Sequence, residues 1–125
     1  MKLKSKCRDI ILAIWVVGFV VSAIAQIVLP EWVAAGTTWG FSPSWQQEIG
    51  FWNVAMAVLL ALVLCKGNEE IKRLVCLGLV VLSVLLGGHH GVALLQGGYN
   101  YTNGLGFALN LTGFLLALRG LQSRG

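Results

Sequence analysis

Four stretches of this chain, 10–29, 49–65, 74–96 and 104–121, run for the width of a bilayer with almost nothing but aliphatic, aromatic and small side chains. Crossing a ~30 Å hydrocarbon core takes about 17 to 25 apolar residues in a helix. The chain has 125 residues, of which 57% are hydrophobic and 11% charged, more apolar surface than a soluble domain of that length buries. In hydrocarbon every backbone N–H and C=O must find its partner within the protein. Continuous apolar runs achieve this as helices, whereas the strands of a barrel would alternate polar and apolar. No linker or second domain is left over. The expected fold is all-α: one integral-membrane four-helix bundle over 1–125.

The basic residues orient it. Lys2, Lys4, Lys6 and Arg8 precede the first run, Lys66, Lys72 and Arg73 separate the second from the third, and Arg119 and Arg124 close the fourth. These are all nine, and loops 30–48 and 97–103 carry none. The positive-inside rule therefore puts the N-terminus and the C-terminus in the cytoplasm. The net charge of +4 follows from topology and attraction to anionic lipid, so nucleic acid is not an expected partner. The basic start and Ser22-Ala23-Ile24-Ala25 imitate a secretory signal, but the apolar run continues through Leu29, which favours a retained first span. Pro30 closes that span. Ser42-Pro43-Ser44 offers N-caps and a first-turn proline for the second helix, expected to begin just before Glu48.

Cys7, Cys65 and Cys76 all fall at the basic ends of spans, with no C-x-x-C motif. A quinone-linked disulfide oxidase needs such a pair on the outer side, so that class is excluded.

Polar residues within the apolar zone lie in its outer half. Gln26 ends span one, Glu48 and Asn53 open span two, and Asn110 is six residues into span four. His89 stands seven residues before Gln96, about 10 Å inward at 1.5 Å per residue. The inner halves are nearly pure Leu, Val, Ala and Ile. Any site belongs to the outer half. Trp32, Trp39, Phe41, Trp45, Phe51, Trp52, Tyr99 and Tyr101 crowd the outer loops, as an interfacial aromatic belt does.

Helical spacing makes two small-residue stripes. Ser83, Gly87, His90 and Gly91 share one face of the third span; Asn103, Gly106, Asn110, Gly113 and Ala117 share one face of the fourth. Small residues let helix backbones approach, so these are expected packing faces. His89 lies about 100° round from His90, with Val92 and Gln96. Three readings compete for the histidines: structural groups satisfied by Glu48, Asn53 or a tyrosine; a ligand or proton-handling site; and metal or haem ligation. Two neighbouring helix positions do not share one ion, and no third histidine exists, which disfavours the last. No metal site or cofactor is expected. Neither G-x-S-x-G, H-E-x-x-H nor a phosphate loop is present, which leaves enzymatic activity open.

The segments WGFSPSWQQEIGFWNVAMAVLLAL and GGHHGVALLQGGYNYTNG resemble a group of prokaryotic four-span membrane proteins without an assigned activity, similar in architecture to the DoxX-like small membrane proteins. The resemblance covers 39–112, about two thirds of the chain. It rests on Gln46 or Gln47, Glu48, Phe51, Asn53, His89, Tyr99, Asn103 and Asn110. His90 is an extra histidine, and Asn110 stands where the pattern often has aspartate, so a charged Glu–His–Asp cluster is not implied. What it does imply is a bacterial inner-membrane protein. Its polar site is lined by Glu48, Asn53, His89 and Asn110, with Gln26, Tyr99 and Asn103 nearby. Within that site Glu48 is expected to hydrogen-bond His89. The expected ligand is a quinone headgroup or another small amphipathic, lipid-like molecule. The alternative is an accessory or assembly subunit that packs through Gly87 and Gly91 against another membrane protein or a second copy of itself.

Overall fold

The structure, a computed structural model, describes the backbone of residues 2–97 and 100–123 and the side chains of 6–97 and 100–123. Four helices are long and apolar enough to cross a membrane: α1 (Lys2–Val28), α3 (Pro43–Lys66), α4 (Glu69–Gly97) and α5 (Tyr101–Gln122). A six-residue helix, α2 (Pro30–Ala35), follows α1. Among the described residues there is no strand, and the architecture is all-α, as the apolar runs require.

The helices outrun the apolar runs because polar first turns can be helical too. Glu69 and Glu70 occupy the first turn of α4, where carboxylates suit the positive end of the helix dipole. Asn68 caps that helix, its Oδ1 accepting from the Ile71 N–H at 2.9 Å. Helix α3 begins at Pro43, five residues before the expected start. Proline at a first helical position forfeits no hydrogen bond, since that N–H has no intrahelical acceptor. Ser42 takes the N-cap position without a side-chain bond. Pro30 does end the first span, and it also opens α2, which the apolar pattern did not reveal.

Helix α1 lies along α3, and α4 lies along α5; the two pairs meet over a narrower seam, chiefly α1 on α5. Leu12, Phe19, Ala57, Leu60, Cys76, Leu79 and Ala117 form one core with members from all four helices. The α4–α5 contact is close because glycines line it. A Cβ on Gly87 would lie 3.1 Å from the Asn110 Cβ, one on Gly91 3.3 Å from the Phe107 ring, and one on Gly106 2.6 Å from the His90 ring. Gly113 faces α1: a Cβ there would lie 2.7 Å from Trp15.

Polar contacts at both ends hold the pairs in register. At the basic end Arg8 is 2% exposed. Its Nε donates to the Gly120 carbonyl at 3.0 Å, a terminal nitrogen donates to the Ser123 carbonyl, and the guanidinium pairs with Glu69. Lys72 bonds Asp9 at 2.6 Å. At the aromatic end, the Gly36 carbonyl accepts from the N–H groups of Thr102 and Asn103 at 3.1 and 3.3 Å. Thr102 Oγ1 donates to the Val33 carbonyl at 2.9 Å, and the Tyr101 hydroxyl to the Trp32 carbonyl at 2.6 Å. The C-terminal carbonyls of α2 thus satisfy first-turn donors of α5, two sets of groups that helix ends leave unpaired.

Gly113→Ala should lower the midpoint of thermal unfolding in detergent, since the added methyl must displace the Trp15 ring, a cost of about 1–3 kcal/mol. Gly18→Ala meets nothing within 4 Å and should leave the midpoint unchanged or raise it, because alanine is the better helix former. Equal effects of the two changes would show that α5 does not press on α1 at Gly113.

Candidate functional site

The aromatic end gathers the most chemistry. His89 and His90 lie in the last three turns of α4, and the loop between α2 and α3 packs against them. Trp39 in that loop stacks on His89, with centroids 4.5 Å apart and planes at 18°, and leans on His90 at 5.2 Å. Gly40, at φ +79, lets the loop turn directly after Trp39. The two imidazoles diverge as helical spacing requires: His89 is exposed, whereas His90 is turned into the α4–α5 contact over Gly106.

There His90 Nδ1 meets Asn103 Oδ1 at 3.2 Å. With Oδ1 facing the ring, Nδ1 carries the hydrogen. Asn103 is fully buried, and its Nδ2 has no partner among the described residues. His90 is therefore the histidine built into the bundle, and His89 the one held only by a ring stack.

The expected Glu48–His89 hydrogen bond is not formed. Glu48 is exposed and makes no hydrogen bond or ion pair among the described residues. The cause is the pairing of helices: α3 packs on α1 and scarcely meets α4, so the polar residues of α3 cannot reach α4. Asn53 instead donates to Ser22 Oγ on α1 at 2.8 Å. Gln26 packs beside Gly50 at the same contact, and its Oε1, like that of the buried Gln46, has no partner among the described residues. Asn110 donates to the Gly106 carbonyl of its own helix at 2.8 Å. Glu48, Asn53, His89 and Asn110 thus do not line one cavity. Tyr99 lies outside the described residues. Gly87 and Gly91, the face named for a partner protein, are covered by Asn110 and Phe107 of α5 within the bundle.

A groove of about 490 Å³ does open at this end, lined by Trp32, Tyr101, Gly104, Leu105 and Ala108. The Trp32 and Tyr101 rings sit 5.2 Å apart at 35° on one side, and the small residues of α5 form its floor. Tyr101, Gly104, Leu105 and Ala108 recur at i, i+3, i+4 and i+7, a spacing that marks one face of α5, but the stripe expected from the sequence was a different one, through Asn103, Gly106 and Asn110. The groove's aromatic wall was not legible either, because that wall depends on α2.

No family model, curated protein or solved structure matches this chain. The chemistry must therefore be read from the site. Among the described residues no three His, Cys, Asp or Glu side chains converge as metal ligands. What the aromatic end offers is ring faces, amide and imidazole hydrogen-bonding groups, and an amphipathic groove.

The different settings of the two histidines have a measurable consequence. His90→Phe puts a larger ring over Gly106 and removes the bond to Asn103, so it should lower thermal stability in detergent by about 1–3 kcal/mol. His89→Phe keeps a ring on Trp39 and should change stability by less than about 0.5 kcal/mol. The reverse order would mean that His89, not His90, is the packed histidine.

Proposed function

We propose that this is a multi-pass protein of the bacterial inner membrane, DoxX-like in architecture, that binds a small amphipathic or lipid-like molecule such as a quinone headgroup in its outer half. The groove beside Trp32 and Tyr101 carries this reading. Its volume of about 490 Å³ falls within the roughly 300–1,000 Å³ of small-molecule sites. Its aromatic wall suits a flat ring, and its small-residue floor leaves room for an apolar tail. Such a molecule, with one wet end and one oily end, is at home at the depth where tryptophan and tyrosine collect. Basic residues at the opposite end support a cytoplasmic location for both termini, which turns the groove toward the periplasm.

Two experiments test this. Native mass spectrometry of protein purified in mild detergent should find a retained amphiphile. Gly104→Phe, which fills the groove floor, should reduce its occupancy at least about tenfold while the protein stays folded. Retention unaffected by Gly104→Phe would remove the groove from the reading, and a copurifying membrane protein in place of a small molecule would replace it with an accessory role. Reporter fusions after Gly67 should read cytoplasmic and those after Gly40 periplasmic; the opposite pattern would turn the groove to the cytoplasm.

A further inference from the structure

A second cavity lies deeper in the bundle, below the two histidines. It is a crevice of about 200 Å³ between α4 and α5, lined by Ser83, Val84, Gly87, Gly88, Asn110, Leu111 and Phe114. Ser83 is the middle residue of the 29-residue α4, about 21 Å from either end at 1.5 Å per residue. The crevice therefore sits near the bilayer midplane. Its walls are aliphatic and aromatic, its floor is glycine, and its lining holds no ionisable side chain.

Ser83 distinguishes this crevice from a packing defect. It is 2% exposed, and its Oγ has no hydrogen-bond partner among the described residues. A serine or threonine in a membrane helix ordinarily bonds the carbonyl four residues back. Thr112 on α5 does so, donating to the Ala108 carbonyl at 2.9 Å, and Asn110 does likewise to Gly106. Ser83 does not take that option. An unpaired hydroxyl in hydrocarbon costs free energy, and no described group recovers it at Ser83. Asn110 adds amide capacity, since its bond to Gly106 uses only one N–H.

We propose that this crevice binds the uncharged polar head of a lipid dissolved in the bilayer: a hydroxyl or carbonyl on an otherwise hydrocarbon molecule, held by Ser83 and Asn110. Three features select that class. The absence of ionisable lining residues excludes a phosphate or carboxylate head, which would be left unpaired at this depth. The volume admits a single ring or a short chain segment but no bulky headgroup. Midplane depth is reached by molecules whose bulk is hydrocarbon. The site is separate from the aromatic groove and does not depend on it.

Farnesol and farnesene, which share a branched hydrocarbon chain but differ in the hydroxyl, are suitable probes for native mass spectrometry from detergent. The Gly104→Phe protein, whose aromatic groove is filled, should retain one equivalent of farnesol and little farnesene. Ser83→Ala and Asn110→Leu should each weaken farnesol binding about five- to tenfold, the worth of one hydrogen bond. Ser83→Ala should leave thermal stability unchanged or raise it, because the hydroxyl has no partner to lose among the described residues and its burial is costly, so lost binding cannot be blamed on unfolding. Gly104→Phe should leave the Ser83-dependent equivalent of farnesol in place, which separates this site from the aromatic groove. Equal retention of the two probes, or farnesol binding indifferent to Ser83→Ala, would overturn the proposal. So would a fall in stability on Ser83→Ala, the mark of a structural water, or a dimer that depends on Ser83, the mark of a helix partner.

Discussion

Arg8 sits where α1, α4 and α5 converge, and the union of the two helix pairs depends on it. The guanidinium is buried, yet its donors are matched by the Gly120 and Ser123 carbonyls and by Glu69. A cation at the last turn of α5 also faces the negative end of that helix dipole. The opposite end solves the same problem with neutral groups, where carbonyls of α2 and Gly36 accept from the first turn of α5. In both places a helix end that would be left unpaired in a low dielectric is satisfied by a different element. Apolar contact between the pairs is narrow, and hydrocarbon side chains gain little from meeting one another in hydrocarbon. Register between the pairs therefore rests on polar clamps at the ends and on the close approach of Gly113 to Trp15.

That division into pairs decides where polar groups can cooperate. Residues of α3 face α1, so Asn53 finds Ser22, while residues of α4 face α5, so His90 finds Asn103. Sequence depth placed Glu48, Asn53, His89 and Asn110 in one layer, and depth along a helix says nothing of azimuth across a bundle. Two adjacent histidines illustrate the consequence. One rotation step of about 100° turns His90 into the glycine-lined contact and leaves His89 outside it, under Trp39.

Unpaired buried polar atoms mark the positions where packing and polarity disagree. Asn103 Nδ2, Gln26 Oε1 and Gln46 Oε1 lie toward the aromatic end, and Ser83 Oγ and Trp15 Nε1 lie deeper in the bundle, both side chains packing at Gly113. Natural interiors hold few such groups, and each one asks for a reason. At Ser83 the usual remedy, bonding back to its own helix, is not taken.

The spans, the all-α architecture, the gathering of basic residues at one end and the small-residue faces of α4 and α5 were legible in the sequence. Each follows from a local rule: hydropathy over a bilayer's width, charge at span ends, or helical spacing. Helix α2, the pairing of α1 with α3 and of α4 with α5, and the stack of Trp39 on His89 were decided only by tertiary structure. So were the groove behind Trp32 and the open crevice at Ser83. Four apolar helices with similar faces can be arranged in several ways at little difference in hydrophobic energy, because lipid and protein interiors are equally apolar. The arrangement is selected by a few long-range polar bonds, Arg8 to Gly120 and Thr102 to Gly36 among them, whose partners lie 112 and 66 residues apart and leave no local trace.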